Sequence, residues 1–147
     1  YSFFETVLIS DNPLKELLKM HDTYIELFLK YKFLMRDSAV LMAVDPLLKV
    51  MYSDKQTKRI IQIEGILKYL ISQEILEGIP NNEIPIRAKL HWFISAYWQV
   101  FSTTTDDVTK ESIFETKEVI FKIHIYPFLT TKGKKMIEEY IKEEERK

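Results

Sequence analysis

Apolar residues recur at spacings of three and four along almost the whole chain, which is the period of an amphipathic helix. No segment alternates apolar and polar residues in the way that a half-buried strand does. The pattern therefore predicts an all-α fold, a helical bundle of about six to seven helices. We see no linker or internal repeat, so residues 1–147 are predicted to form a single domain.

Polar residues before a proline, and a glycine after the last apolar position, indicate where helices begin and end. Asp11 and Asp45 each precede a proline, and such a carboxylate caps the free amides of a first helical turn while proline suits that turn. Gly78 is predicted to end the longest helix in a left-handed conformation. The predicted helical segments are 1–9, 13–32, 33–43, 46–52, 53–76, 83–103, 112–126 and a last one capped by Thr130 or Thr131.

Two consecutive predicted helices, 83–103 and 112–126, carry more apolar surface than one core needs. A surface helix needs a single apolar face. Helix 83–103 combines a broad apolar arc with a narrow stripe of small residues, which permits close helix approach. The excess favours a two-fold homodimer, the commonest soluble oligomer. The alternative is that both helices are central in a monomer. The candidate interface residues are Ala88, Ser95, Phe114, Phe121 and Ile125.

Helix 112–126 has an apolar flank on each side of its charged stripe when it is drawn at 100° per residue. One flank includes Val119 and Ile123, and the other includes Phe121 and Ile125. We expect Phe121 and Ile125 to face the partner and Val119 and Ile123 to face the home core. An exchange of the two flanks is left open.

Composition and charge exclude several classes of function. The chain is 46% hydrophobic and 29% charged, which suits a packed globule. Its formal net charge of −1 gives no basic excess for nucleic acid. The absence of Cys excludes disulfides, thiolate metal sites and Cys nucleophiles, and fits a cytoplasmic location. The longest stretch without Asp, Glu, Lys or Arg, 90–105, is too short to span a membrane, so no membrane contact is expected.

No residue constellation indicates catalysis, a metal or a cofactor. A di-iron bundle needs Glu-x-x-His pairs, and no Glu stands three residues before His21, His91 or His124. Three scattered glycines cannot form a phosphate loop or a dinucleotide fingerprint. A helical-bundle enzyme is therefore the weakest hypothesis, and we expect no catalytic residue, no metal site and no cofactor.

The aromatic and Met content suits an apolar ligand pocket, because such pockets are mostly apolar with a few orienting polar groups. Met side chains adapt to irregular shapes. The alternative for each of these residues is that it only fills the core. The candidate pocket residues are Tyr24, Phe28, Met42, Met51, Leu67, Trp92, Tyr97 and Trp98.

Four short motifs, taken in order, resemble the C-terminal domain of TetR-family bacterial transcriptional repressors. They are a Tyr-x-Phe-x-x-Arg-Asp start, an Asp-Pro pair, a Trp-rich helix and a Pro-x-Leu-Thr end. The resemblance covers nearly the whole chain. The residues that carry it are Tyr31, Phe33, Arg36, Asp37, Asp45, Pro46, Trp92, Trp98, Pro127, Leu129 and Thr130.

The resemblance implies a homodimer that dimerises through its last long helices and encloses a pocket for a small apolar or amphipathic effector. It also implies an N-terminal helix-turn-helix domain that binds operator DNA. That segment is missing from these residues, so we expect this chain to contact DNA only through it. The predicted function is the ligand-sensing and dimerisation domain of a TetR-type repressor. The alternative is a helical interaction domain without a small-molecule ligand.

Overall fold

Seven α-helices make up most of the part of the chain that the structure describes. This computed structural model describes residues 3–102 and 109–147, without the side chains of 3–4, 24–26, 28 and 32–36. Within these ranges no strand occurs, and the predicted all-α fold is confirmed. The helices are α1 (Phe3–Ile9), α2 (Pro13–Lys30), α3 (Lys32–Val44), α4 (Pro46–Ser72), α5 (Ile84–Ser102), α6 (Lys110–Val119) and α7 (Thr131–Glu145).

Side-chain caps begin three of these helices. The Asp45 carboxylate accepts a hydrogen bond from the backbone N–H of Leu48 at 3.1 Å, and the Thr130 hydroxyl accepts one from Gly133 at 3.0 Å, as predicted. At α2 the cap is Asn12, whose side chain accepts from Lys15 N–H, rather than Asp11. Pro13 is the first helical residue, so the position immediately before it becomes the cap.

A break was predicted near Ser53, but α4 runs through it as one helix of 27 residues. Ser53 and Asp54 are both exposed. Asp54 pairs with Lys58 at 2.9 Å, and Thr57 donates its hydroxyl hydrogen to the Ser53 carbonyl at 3.0 Å. Cap-type residues remain in a helix when their side chains face solvent or bond within the helix, so the prediction of a start here was wrong.

The end of α4 is a Schellman turn built without glycine. The helix ends at Ser72, four residues before the predicted end, and Glu74 takes the left-handed conformation with φ of 57°. The Ile75 N–H donates to the Leu70 carbonyl at 2.9 Å, and the Glu74 N–H donates to Ile71 at 3.0 Å. Both bonds satisfy carbonyls that the helix leaves free. Gly78 also has a positive φ, 81°, but lies in the loop beyond.

The loop after α4 fixes the start of α7. The Thr130 N–H donates to the Ile75 carbonyl at 3.0 Å, and Leu76 forms an isolated antiparallel bridge with Leu129. A Cβ on Gly133 would lie 2.5 Å from the Ile75 oxygen, so only glycine permits this approach. This contact seats α7 against the end of α4.

The predicted helix 112–126 changes its winding halfway. α6 ends at Val119, a π turn covers Ile120–Ile125, and a short 3-10 turn covers Tyr126–Phe128. The Tyr126 N–H donates to the carbonyl of Phe121, five residues earlier. A π turn holds more than 3.6 residues, so each step rotates by less than 100°. The wheel drawn at 100° therefore misplaces the residues after position 120.

The core lies between α2, α4, α5 and the π turn. It includes Leu14 and Leu17 of α2, Leu70 of α4, Ile84 of α5 and Ile120 of the π turn, all buried. The side chains of α1 and α7 extend this core through Val7 and Ile137. The bundle thus has α5 and the α6–π segment as central elements, as the excess of apolar residues in both predicted helices suggested.

Replacing Glu74 by Gly is expected to raise the free energy of unfolding by about 1 kcal/mol, because glycine carries no Cβ penalty in the left-handed conformation. Chemical denaturation followed by circular dichroism measures the change. Glu77→Gly is the matched control: Glu77 is also exposed and lies outside the positive-φ positions, so glycine there only adds freedom to the unfolded chain and lowers stability. Equal effects of the two substitutions would contradict this account of the turn.

Candidate functional site

Antiparallel pairing of α4 with α5 brings two of the candidate pocket residues to one seam. The Trp92 Nε1–H donates to Gln56 Oε1 of α4 at 3.2 Å. One turn further along, Tyr97 meets Tyr52 of α4, whose pKa is raised by burial and by its hydrogen-bonding interaction with Tyr97. A phenol in such surroundings stays protonated at neutral pH. The seam therefore presents aromatic faces together with neutral hydrogen-bonding groups.

The inner end of α5 holds two buried polar atoms that have no hydrogen-bond partner among the described residues. They are Trp98 Nε1 and Ser102 Oγ, one helical turn apart. The Trp98 ring packs against Phe101 with 5.2 Å between centroids and borders the core. Buried donors are nearly always paired, with protein or with a bound molecule. These two atoms are thus available to a polar group that enters this end of the bundle.

The remaining candidate pocket residues are scattered. Leu67 is buried in the core, Met42 is half-buried, and Met51 is exposed at 55%. The side chains of Tyr24 and Phe28 lie outside the described residues. The structure therefore gathers Trp92, Tyr97 and Trp98 along α5 without enclosing the full predicted set.

A polar network that the sequence reading missed locks α5 to α6. Gln99, which is 1% exposed, donates through Nε2 to the Thr116 hydroxyl at 3.0 Å and to the Ser112 carbonyl at 3.2 Å. The Ser112 hydroxyl donates back to Gln99 Oε1 at 2.7 Å. A fully satisfied buried network of this kind fixes the relative placement of two helices. The only sequence signal was the position of Gln99 in the small-residue stripe.

All three histidines of the chain converge in the interior. The rings of His21 on α2 and His91 on α5 have centroids 5.5 Å apart, and the Phe121 ring lies edge-on to His21 at 5.2 Å. His124, on the π turn, lies near enough to His91 to help lower its pKa. Its Nδ1 atom has no partner among the described residues. Three elements therefore meet at a cluster of buried imidazoles.

Burial keeps these imidazoles neutral. It lowers the pKa of His21 to about 4, with the nearby Lys117 contributing, and it lowers the pKa of His91 well below its usual value. The pKa of His124 is lowered by burial and by Arg87. No group of His, Asp and Glu within the described ranges has a metal-binding arrangement. The cluster is therefore a packed polar junction.

The interface prediction is corrected in part. Ala88, Phe121 and Ile125 lie in the core of the chain itself, while Ile123 is 61% exposed, so the two flanks of helix 112–126 are exchanged. The π turn brings Ile125 round to the core and turns Ile123 outward. Ser95 is half-buried and donates to the His91 carbonyl, and Phe114 is exposed. Of the five predicted interface residues, Phe114 alone presents most of its ring to the surface.

An apolar stripe on α5 is left uncovered by the chain. Its members are three, four or seven residues apart, and each is between 43% and 69% exposed. Contiguous apolar surface of this kind on a folded domain indicates an interaction site. The residues of this stripe, here called the α5 stripe, are Ile86, Leu90, Phe93, Val100 and Phe101.

The chain belongs to the TetR family of bacterial transcriptional repressors, whose family profile matches residues 3–137. Members of this family generally form homodimers that bind DNA. No significant match was found among curated proteins or among solved structures. Within the described ranges no helix is both long and apolar enough to cross a membrane.

Acidification is expected to destabilise the fold below pH 6.5, the usual histidine pKa. The native pKa values are lowered, so the unfolded chain binds more protons than the native chain as the pH falls from 6.5 toward 4. Each histidine then costs up to about 1.4 kcal/mol per pH unit, which amounts to roughly 3 kcal/mol for His21 by pH 4. Urea denaturation across this range measures the loss.

His21→Gln is expected to flatten this pH dependence, since one titrating group is removed. Thr23→Ala, an exposed and non-titrating change on the same helix, is expected to keep the wild-type slope. A wild-type stability that stays constant from pH 7 to pH 5 contradicts burial of neutral imidazoles.

Proposed function

We propose that residues 1–147 form the dimerisation and effector-sensing domain of a TetR-type transcriptional repressor. Operator DNA is then contacted by a helix-turn-helix segment outside these residues, in keeping with the near-zero net charge of the chain. A repressor of bacterial genes works in the cytoplasm. The effector is a small apolar or amphipathic molecule. The observation that carries the proposal is the α5 stripe.

The α5 stripe supports a homodimer because the helix already supplies the home core with a separate set of residues. Ile84, His91 and Ile94 are buried inside the chain, while Phe93 and Leu90 face outward. A second copy covers this face at once, since a two-fold axis places identical apolar stripes against each other. Ile123 on the π turn adds exposed apolar surface from the next element.

The unpartnered Trp98 Nε1 and Ser102 Oγ atoms support effector binding. Apolar pockets orient their ligands through a small number of polar groups, and these two are buried, adjacent and unused by the described residues. An effector with a hydrogen-bond acceptor satisfies them. Binding on α5 then acts directly on the helix that forms the dimer. The effector shifts the population of dimer geometries by its differential affinity for them.

The second candidate is a helical interaction domain without a small-molecule ligand. It is favoured by Leu67, which fills the core, and by Met51, which points to solvent rather than into a pocket. Both candidates require the dimer. They differ in whether a ligand enters beside Trp98.

Phe93→Glu is expected to convert the dimer into a monomer. The substitution places two symmetry-related charges in an apolar seam, which costs several kcal/mol when they remain unpaired. Light scattering coupled to size exclusion measures the mass at micromolar concentration. Ile9→Glu, at another exposed apolar position, is the control and leaves the dimer intact. A monomeric wild type, or an equally tight Phe93→Glu dimer, contradicts the proposed seam.

Trp98→Phe is expected to weaken a polar effector by about three- to tenfold, the worth of one hydrogen bond. Compounds are first selected by thermal shift, because a ligand of the native state raises the melting temperature. Trp92→Phe is the matched control, since Trp92 Nε1 is already bonded to Gln56. Equal losses in both variants contradict a specific role for Trp98. A screen of apolar and amphipathic compounds without any shift favours the second candidate.

A further inference from the structure

A groove lies on the side of the bundle formed by α2, the α6–π segment and α7. Its volume is about 180 Å³. None of the eight candidate pocket residues lines it, so it is separate from the region around Trp98. Two ion pairs fix its walls: Lys15 of α2 pairs with Glu143 of α7, and Lys117 of α6 pairs with Asp22 of α2. The groove is therefore held by contacts between all three elements.

The floor of the groove is apolar and dry. Leu18, Phe121 and Ile137 line it, and each is buried in the core. Phe114 and Ile141 also line it, and their side chains are about half exposed. Enclosed apolar space of about 150 Å³ accepts a molecule the size of benzene. The size and the lining of this groove therefore fit one six-membered ring with a small substituent.

Two tyrosine hydroxyls supply the polar side. Tyr126 and Tyr140 both line the groove, and neither hydroxyl has a hydrogen-bond partner in the described part of the chain. Burial raises the pKa of both phenols, and they lie near enough for Tyr126 to add to the rise at Tyr140. Both hydroxyls therefore stay protonated at neutral pH and remain able to donate to an acceptor.

The charges around the groove cancel. Lys117 is paired with Asp22, and Lys122 is paired with Glu118 at 2.9 Å. No cation in the lining is left without its carboxylate, so the groove offers no site for a strong anion. An anionic ligand would also have to give up its hydration to enter an apolar floor. A neutral ligand avoids both costs.

We propose that this groove binds a neutral, single-ring aromatic compound that carries a hydroxyl or carbonyl group. The ring lies on Leu18, Phe121 and Ile137, and the polar substituent meets the hydroxyls of Tyr126 and Tyr140. The site does not depend on the effector pocket beside Trp98. It also uses the face of α6 opposite to Ile123, so that dimer formation leaves it accessible.

The test uses phenol as the probe and benzoate as its charged counterpart. Methyl-resolved NMR of the whole chain reports the position, because an aromatic ligand shifts the methyl signals of Leu18, Ile137 and Ile141. Isothermal titration calorimetry gives the affinity. Phenol is expected to shift these methyl signals while Ile61 on α4 stays unchanged, and benzoate is expected to bind at least tenfold more weakly. No phenol binding, shifts confined to other methyl groups, or tighter binding of benzoate overturns the proposal.

Two variants test the geometry. Ile141→Trp, at a half-exposed position of the lining, is expected to fill the groove and abolish phenol binding, whereas Ile61→Trp at an exposed position elsewhere leaves it unchanged. Tyr140→Phe keeps the ring and removes the hydroxyl, and is expected to weaken phenol by about three- to tenfold. Melting temperatures confirm that each variant is folded. Phenol affinity that is unaltered by Ile141→Trp, or by Tyr140→Phe, overturns the assignment.

Discussion

The two-sided character of α5 is the constraint on which the rest of the structure depends. One side of the helix is consumed by the core through Ile84, Ala88 and Ile94, and is tied to α6 through Gln99. The other side carries the α5 stripe and has no cover within the chain. Apolar area left in water forgoes about 25 cal/mol per Å². Association is the route by which this surface contributes to stability, so folding and assembly draw on the same helix.

The interior of the bundle is polar at two places, and each has a different consequence. Around Gln99 every group of the network is bonded, which fixes α5 against α6 and gives the dimer surface a defined shape. Around His21 and His91 the imidazoles are buried and neutral, so this junction is stable only while it remains unprotonated. The first network therefore gives rigidity, and the second makes the rigidity conditional on pH.

Local signals in the sequence predicted the fold well where one residue type has one dominant role. Asp45 before Pro46 and Thr130 before the last helix are such cases, and the apolar period predicted the helical class throughout. Ser53 and Asp54 failed because the same side chains that cap a helix also sit on its exposed face. The flanks of helix 112–126 failed for a different reason. A wheel assumes one winding, and nothing local to Ile120–Ile125 announces a π turn.

The candidate site was predictable only in outline. The aromatic residues of α5 were identified because aromatic content suits a pocket, but their grouping depends on which α4 residues face them. Gln56 and Tyr52 carry no signal of that pairing in the sequence. The groove beside Tyr126 and Tyr140 depends on contacts between helices far apart in the chain. No periodicity within a single segment describes such a place.

The π turn also makes the chain sensitive to its residue count. It stores one residue more than a regular turn, so the deletion of one codon within 120–125 would restore an ordinary helix while rotating everything beyond it by about 100°. Thr130 would then miss the Ile75 carbonyl, and Gly133 would no longer meet the end of α4. Substitutions in this segment alter a side chain, whereas a change of length displaces the whole of α7. Relatives of this chain are therefore free to vary in residue type here, but are constrained in length.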